Sequence, residues 1–269
     1  MRIIRLFAVC LALGLAVCGC RHKKASDTRK SSVVSDFMTF VQGGWDVVPG
    51  GEEKLMRDFY KEALACELAD TSSTVFETLT KYVEEVLYDP NSDFRDEDLY
   101  GVYASCLAEC PVLDNASRAK YAREARLCGL NKAGSKASDF RFSDIRGNIR
   151  NLYSIDTELT ILFFSNPGCQ NCLEIINRLN SDPEISSMIA DGRLSVLNIY
   201  IDEDLQAWKE YMPVYPANWY NGFDPDLVLR DDSIYHIRAI PSLYLLDRDK
   251  TVILKDAPPE KLIYYLNIL

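Results

Sequence analysis

The chain has 269 residues and a formal net charge of −10 at neutral pH, from 30 basic and 40 acidic residues. This length allows two domains of ordinary size, each with its own hydrophobic core. No basic cluster is long enough to follow a phosphate backbone, so we do not expect a nucleic acid as a partner.

The first nineteen residues have the composition of a secretory signal peptide. Two arginines flank a short basic region, and the apolar segment at residues 6–17 is too short to span a bilayer as a mature helix. It ends in Val-Cys-Gly-Cys, which resembles a bacterial lipobox with Cys20 as the lipidated first residue of the mature chain. Cys18 is the alternative acceptor, although a bulky valine precedes it. The sequence therefore predicts a lipoprotein signal peptide over residues 1–19. The other alternative is an ordinary signal peptide on a soluble secreted protein.

Residues 20–35 are polar and lack periodicity, which predicts a flexible tether between the lipid and the folded protein. From residue 52 to residue 130, apolar side chains recur at three- and four-residue steps between turn residues. This periodicity is typical of about four amphipathic helices. The sequence therefore predicts a small all-α domain over residues 36–133.

Four cysteines fall within this helical segment: Cys66, Cys106, Cys110 and Cys128. An exported compartment permits disulfides, but the pairing of four cysteines cannot be deduced from their spacing. Buried structural thiols are favoured over a structural disulfide. A zinc site is the least favoured interpretation, because the chain has only two histidines and neither is near in sequence.

After a short linker the pattern changes from helices to alternating strands and helices. Strands are predicted at residues 139–143, 148–155, 159–165 and 194–201 and a hairpin at 242–254; helices are predicted directly after residue 169 and at 184–190, 205–212, 226–235 and 259–266; residues 214–225 are predicted to be an aromatic loop. This order predicts an α/β domain over residues 137–269, with a mixed central sheet covered on both faces.

Cys169 and Cys172 lie where the apolar strand at residues 159–164 leads into the next helix. Their spacing allows a short-loop disulfide. It also places Cys169 at the first turn of the helix, whose unpaired N–H groups and dipole favour a thiolate over a thiol. A lowered pKa would make this cysteine a nucleophile near neutral pH, so the sequence predicts a redox site.

The order of these elements resembles the thioredoxin fold, and within it the exported, membrane-tethered TlpA/ResA-like thiol-disulfide oxidoreductases. The similarity covers about residues 135–269. It rests on the two cysteines, on residues 137–147, which resemble the N-terminal hairpin of that group, and on residues 237–247, which resemble the segment around its active-site cis-proline. The upstream helical segment resembles a domain that precedes such modules in Bacteroidales lipoproteins.

The resemblance implies that Cys169 attacks a substrate disulfide and that Cys172 resolves the mixed disulfide. It also implies a cis bond before Pro241, beside the sulfurs, which leaves the backbone of Ile240 open to pair with a substrate chain. An ordinary proline at a strand entrance is the alternative. The implied partners are protein disulfide substrates, a membrane or periplasmic thiol reductant and, through Cys20, the lipid bilayer. No cofactor and no metal is expected.

Several positions depart from the pattern of the family. Phe163 stands where thioredoxins place a buried aspartate as a proton relay. Ile175 stands where the exported group often has a glutamate, with Glu174 one position away. The usual tryptophan before the first cysteine is missing. The two residues between the cysteines are neutral and include no histidine, which removes one way of making the pair strongly oxidising and favours a reductase.

The favoured function is therefore that of a membrane-tethered thiol-disulfide oxidoreductase, in the reducing direction, acting on exported proteins in the bacterial cell envelope and facing the periplasm. A peroxide-reducing thiol enzyme is an alternative, although the threonine expected shortly before a peroxidatic cysteine is absent. A non-catalytic binding or assembly lipoprotein that uses the fold as a scaffold is another. The exposure of Cys169 discriminates between them, because an idle pair would be buried or permanently oxidised.

Overall fold

The computed structural model describes residues 23–43, 51–231 and 234–268. The predicted signal peptide and the predicted lipid attachment site at Cys20 lie outside these ranges. Within them, no helix combines the length and the apolar character needed to cross a bilayer.

Five α-helices form the N-terminal part of the described chain, and together they are the helical domain. They are α1 (Lys23–Gly43), α2 (Glu52–Ala69), α3 (Val75–Val83), α4 (Glu97–Ala108) and α5 (Asn115–Cys128). A π-helical turn, Glu84–Tyr88, continues α3. The apolar faces of the helices meet in one core, in which Phe37, Leu79 and Tyr103 are fully buried. The predicted all-α domain is therefore present.

Helix α1 occupies residues 23–35 of the tether predicted over residues 20–35; residues 20–22 lie outside the described ranges. It begins at Lys23, and Val33, Phe37 and Val41 lie four residues apart along one face, buried in the helical core. The prediction missed this helix because the residues before Val33 are polar, so its apolar face starts only in its second half. The helical core therefore begins upstream of the predicted boundary, and the described part of the domain has five helices instead of about four.

A turn after α5 joins the two domains. Asp114 is the N-cap residue of helix α5, and its carboxylate accepts a hydrogen bond of 2.7 Å from the backbone N–H of Ser117. After the helix, Asn131 adopts a left-handed conformation with φ of 48°. Its side chain donates to the carbonyl of Ile234 at 2.6 Å and accepts from the N–H of Ser138 at 2.7 Å. The turn is thereby fastened to the C-terminal domain.

Seven strands form one sheet in the C-terminal domain. They are β1 (Arg141–Ser143), β2 (Ile149–Asn151), β3 (Leu159–Phe164), β4 (Leu194–Tyr200), β5 (Tyr220–Phe223), β6 (Ser242–Asp247) and β7 (Val252–Leu254), in the order β2-β1-β5-β4-β3-β6-β7. Strand β3 is parallel to β4 and antiparallel to β6, so the sheet is mixed, as predicted.

Hydrophobic cores cover both faces of this sheet. The helices of the domain are α6 (Gln170–Ser181), α7 (Pro183–Ala190), α8 (Leu205–Tyr211) and α9 (Pro259–Asn267). Side chains of β3 alternate between the two cores, with Ile161 and Phe163 in one and Leu162 and Phe164 in the other. The continuous apolar run in the sequence is therefore a central strand buried on both sides.

Two predicted elements of this domain are wrong. The loop predicted at residues 214–225 contains β5, a strand of only four residues that includes an Asn-Gly pair. The helix predicted at residues 226–235 is absent from the described part of that segment. There the carboxylate of Asp224 accepts the backbone N–H groups of Asp226 at 3.0 Å and Leu229 at 2.8 Å. These bonds hold the backbone in turns instead of a helix.

Candidate functional site

The two cysteines occupy the strand-to-helix turn that the sequence predicts. Cys169 is the N-cap residue of α6, and its Sγ accepts a hydrogen bond of 3.2 Å from the backbone N–H of Cys172. Gly168, just before it, has φ of 73°, a left-handed conformation that glycine adopts without steric cost. The chain thereby turns sharply from β3 into the helix, and the first helical turn presents a donor to the first sulfur.

Cys169 and Cys172 form a disulfide, with Cα atoms 5.2 Å apart. This separation is within the ordinary range for disulfides. Cys172 is 1 % exposed and packs in the hydrophobic cluster on one face of the sheet, whereas Cys169 is only partly buried. One cysteine of the pair is thus partly exposed and the other is buried, an arrangement suited to thiol–disulfide exchange.

The Ile240–Pro241 peptide bond is cis. Pro241 directly precedes β6, and the register of the sheet pairs Ser242 of β6 with Phe164 at the end of β3. The cis bond, just before β6, and the turn that carries the cysteines, just after β3, therefore lie at the same end of these two paired strands. Ile240 and Cys169 also pack against the same hydrophobic cluster. The structure thus brings together the four residues that the sequence assigns to the site.

No carboxylate occupies positions 163 and 175, at which the proteins that the sequence resembles place an acidic side chain. Phe163 is fully buried and Ile175 is 7 % exposed, both in the cluster that contains Cys172. Glu174 is exposed, and it accepts a hydrogen bond from a neighbouring glutamine on α6. The carboxylate joined by a hydrogen bond to the turn before the cysteines is that of Asp202, which accepts from Asn166 Nδ2 at 2.6 Å.

A buried ion network behind the cis-proline segment was not predicted. Arg238 Nε donates to Glu97 Oε1 at 2.5 Å, and Arg238 Nη2 donates to Asp256 at 2.7 Å. Lys255 Nζ lies 3.0 Å from the other oxygen of Glu97. None of these side chains is more than 8 % exposed. Glu97 belongs to α4 and the other three to the C-terminal domain, so the network joins the two domains.

The network also reaches the residue after the cis-proline. Ser242 Oγ donates to the carboxylate of Asp256 at 2.8 Å. Burial raises the pKa of Asp256, and Glu97 reinforces this rise while the two nearby arginines oppose it. Burial works against the charged form of Arg238, but the carboxylates of Glu97 and Asp256 outweigh it and raise the pKa of this guanidinium. Arg238 therefore remains a cation in the interior.

Aromatic side chains of the helical domain cover the same segment. The guanidinium of Arg238 lies 4.5 Å from the ring centroid of Tyr88, and Tyr88 stacks on Tyr100 with centroids 4.0 Å apart. The hydroxyl of Tyr88 is 3.2 Å from His236 Nε2.

In the sequence, Glu97 has the signature of an ordinary acid in the first turn of a helix. No local signal connects it to Arg238.

Among the described residues, the four cysteines of the helical domain form no disulfide. Cys110 and Cys128 are buried, and Cys66 and Cys106 are half-buried. Burial, reinforced by the charge of Glu97, raises the pKa of the Cys128 thiol to about 12. These features favour the interpretation as structural thiols. Within the described ranges, no group of three or more His, Cys, Asp or Glu side chains is arranged to hold a metal ion.

Comparison with known proteins identifies solved structures that share this architecture. A thioredoxin-like protein from Bacteroides caccae is 29 % identical, with a TM-score of 0.71, over 97 % of this chain and 99 % of its own. The C-terminal domain of an uncharacterized protein from Bacteroides fragilis is 43 % identical, with a TM-score of 0.50, over 51 % of this chain and 98 % of its own. No protein-family model matches the chain, and a search of the curated proteins found no match. The first similarity extends over both domains.

Proposed function

Because the chain belongs to the thioredoxin-like proteins, as its resemblance to the TlpA/ResA-like group predicted, we propose that it is a thiol-disulfide oxidoreductase that reduces disulfides in exported proteins. One observation carries this proposal. Cys169 is partly exposed at the start of a helix, and its disulfide partner Cys172 is buried.

The proposed reaction begins with the reduced pair. The thiolate of Cys169 attacks one sulfur of the substrate disulfide, forms a mixed disulfide and expels the other substrate sulfur as a thiolate. Cys172 then attacks the sulfur of Cys169, its proton passes to the departing substrate sulfur, and the disulfide of the protein forms. Two electrons have moved from the pair to the substrate. A membrane or periplasmic thiol reductant must supply two electrons to restore the dithiol.

The first turn of α6 assists the first step. The backbone N–H of Cys172 donates to Cys169 Sγ, and a hydrogen bond to the charged form of an acid stabilises that form. Pro241 has no N–H to donate. The cis bond before it places the Ile240 backbone at the end of the strands where the cysteines lie. In the proposal, an extended substrate segment pairs with this backbone while its sulfur meets Cys169.

A thiol-trapping titration tests the redox proposal. The protein is equilibrated with dithiothreitol or glutathione buffers, and Cys169 and Cys172 should titrate together as one two-electron couple, whose midpoint gives the direction of electron flow. Cys172→Ser should retain substrates as mixed disulfides on Cys169, and a protein that also carries Cys169→Ser should retain none. A pair that resists reduction, or equal trapping by both variants, contradicts the proposal.

We further propose that the protein is anchored in the cell envelope by a lipid on Cys20 and faces the periplasm. Metabolic labelling with a radioactive fatty acid tests the anchor. Cys20→Ser should lose the label, and the matched variant Cys18→Ser should keep it. Loss of label in Cys18→Ser alone assigns the lipid to Cys18. An unlabelled wild-type protein contradicts the anchor altogether.

A further inference from the structure

A groove of about 360 Å³ lies between the two domains, next to the redox pair. The loop at residues 90–95 of the helical domain forms one wall, and α6 forms the other from Asn171 to Arg178. Residues 239–241 and 258–260 complete the lining. This volume is within the range of ligand pockets, roughly 300–1,000 Å³. It accommodates an extended polypeptide segment but not a folded domain.

The groove borders the redox site. Asn171 lies between Cys169 and Cys172 on the first turn of α6, and it lines the groove. Ile240 and Pro241 line it as well. A chain that occupies the groove therefore runs past the turn that carries the cysteines and along the cis-proline segment. The wall opposite α6 is supplied by the helical domain.

The two basic side chains of the groove are already engaged. Arg95 donates to the backbone carbonyls of Asp256 at 2.9 Å and Ala257 at 3.1 Å and is only 10 % exposed. Arg178 forms an ion pair with Glu260 at the end of the groove. Arg95 Nε also lies 3.7 Å from the carboxylate of Asp256, so both cations of the groove are ion-paired within the protein.

Two carboxylates in the groove lack such a partner. Asp93, in the loop of the helical domain, and Glu174, on α6, are both exposed. In the ranges that the structure describes, no lysine, arginine or histidine lies within ion-pair distance of either; the side chain of Glu174 accepts only from Gln170 Nε2, at 3.0 Å. Arg95 lies close enough to Asp93 for the two charges to interact, but it is ion-paired with Asp256. The groove lining holds three carboxylates, Asp93, Glu174 and Glu260, against the two engaged arginines, and this excess of negative charge complements a cation.

We propose that this groove binds an extended, positively charged segment of the substrate protein beside its reactive cysteine, and that the helical domain thereby selects substrates. Asp93 and Glu174 pair with lysine or arginine side chains of the segment. This inference rests on the proposed oxidoreductase function and adds a substrate class to it. The helical domain is then one wall of the binding site, held against the cis-proline segment by the Glu97–Arg238 contact.

The test uses the reduced full chain and three disulfides. Two are synthetic peptides of equal length, each with one internal disulfide, flanked by lysines in one and by glutamates in the other. The third is the small uncharged hydroxyethyl disulfide. The second-order rate constant for oxidation of the Cys169/Cys172 pair is measured with each, by acid quenching and alkylation. The lysine peptide should react about tenfold faster than the glutamate peptide at low salt, and added salt should reduce this preference.

Variants assign the preference to the groove. In Asp93→Asn and in Glu174→Gln, the rate constant with the lysine peptide, divided by that with hydroxyethyl disulfide, should fall about threefold, and more in Asp93→Lys. Glu77→Gln is the matched control, because it removes one exposed carboxylate of the helical domain outside the groove. It should leave the ratio as in the wild type.

The outcomes separate the inference from the function on which it rests. Equal rates with the two peptides, faster reaction of the glutamate peptide, or a preference that survives in Asp93→Lys and Glu174→Gln would overturn the groove proposal while the oxidoreductase stands. If the pair reacts with none of the three disulfides, the proposed function itself fails and the substrate class fails with it.

Discussion

The buried carboxylate of Glu97 in the helical domain accepts a hydrogen bond of 2.5 Å from Arg238 of the C-terminal domain. Arg238 lies three residues before the cis-proline Pro241. Glu97 is 0 % and Arg238 7 % exposed, so water solvates neither charge and each depends on the other. The two domains are therefore coupled through the segment that shapes the candidate site.

This contact predicts that Glu97→Gln strongly destabilises the protein. The substitution keeps the shape of the side chain but leaves Arg238 and Lys255 as buried cations that have lost a shared carboxylate. Removing one partner of a buried ion pair costs about 3–5 kcal/mol. Urea unfolding at neutral pH should therefore show a free energy of unfolding lower by about 3 kcal/mol.

Glu158→Gln is the control for this measurement, because it breaks an exposed ion pair with Arg193. It should change the free energy of unfolding by less than about 1 kcal/mol. The double variant Glu97→Gln/Arg238→Gln should lose less stability than the sum of the two single variants, since the two residues share one interaction. Equal effects of Glu97→Gln and Glu158→Gln would show that the buried contact is not important for stability.

The unequal burial of the cysteines predicts their order of alkylation in the reduced protein. Cys169 is partly exposed, whereas Cys172, Cys110 and Cys128 are buried. Burial also raises the pKa of half-buried Cys106, which disfavours its reactive thiolate. A brief treatment with iodoacetamide, followed by peptide mass spectrometry, should find Cys169 modified before Cys172, Cys106, Cys110 and Cys128. The same treatment in denaturant should label all sites alike, and modification of Cys172 at the rate of Cys169 would contradict the structure.

Burial of Cys128 predicts a loss of stability at alkaline pH. Its pKa is raised from 9.0 to about 12 in the folded protein, so between these values the folded state binds more protons than the unfolded state. The stabilising contribution is complete below pH 9 and decreases as the pH rises towards 12. From pH 8 to pH 10 the free energy of unfolding should fall by about 1 kcal/mol more in the wild type than in Cys128→Ala. Parallel pH profiles of the two proteins would refute this.

A close approach in the sheet predicts that Gly222→Ala is destabilising. A Cβ atom at this position would lie 2.8 Å from Phe142 Cδ2 and 3.0 Å from the carbonyl oxygen of Ser143. Phe142 is 2 % exposed, so it cannot move into solvent without cost. Overpacking of this kind costs about 1–3 kcal/mol, measurable by urea unfolding. Gly43→Ala is the control, since a Cβ there meets nothing within 4 Å, and an equal loss of stability in both variants would argue against the packing at β5.

The elements that could be predicted are those whose pattern is local. The apolar run Leu159–Phe164 appears as the central strand β3, and helices α2 to α5 follow the recurrence of apolar residues. Helix α1 and strand β5 could not be predicted in this way. Only the second half of α1 has an apolar face, and β5 depends on pairing with β4 and β1, which are distant along the chain. Asp224 likewise replaces a predicted helix with turns through side-chain bonds to the backbone.

The sequence alone determined where the Cys169–Cys172 pair lies, because a Cys-x-x-Cys spacing at the change from apolar strand to helix depends on neighbouring residues. The roles of Cys169, Cys172, Ile240 and Pro241 stay predictions until exchange is measured. Only the tertiary structure decided that the helical domain reaches the site. The contact of Glu97 with Arg238 spans 141 positions of the sequence, and the groove exists only where two domains meet. Such contacts arise from folding in three dimensions and leave no periodic trace in the chain.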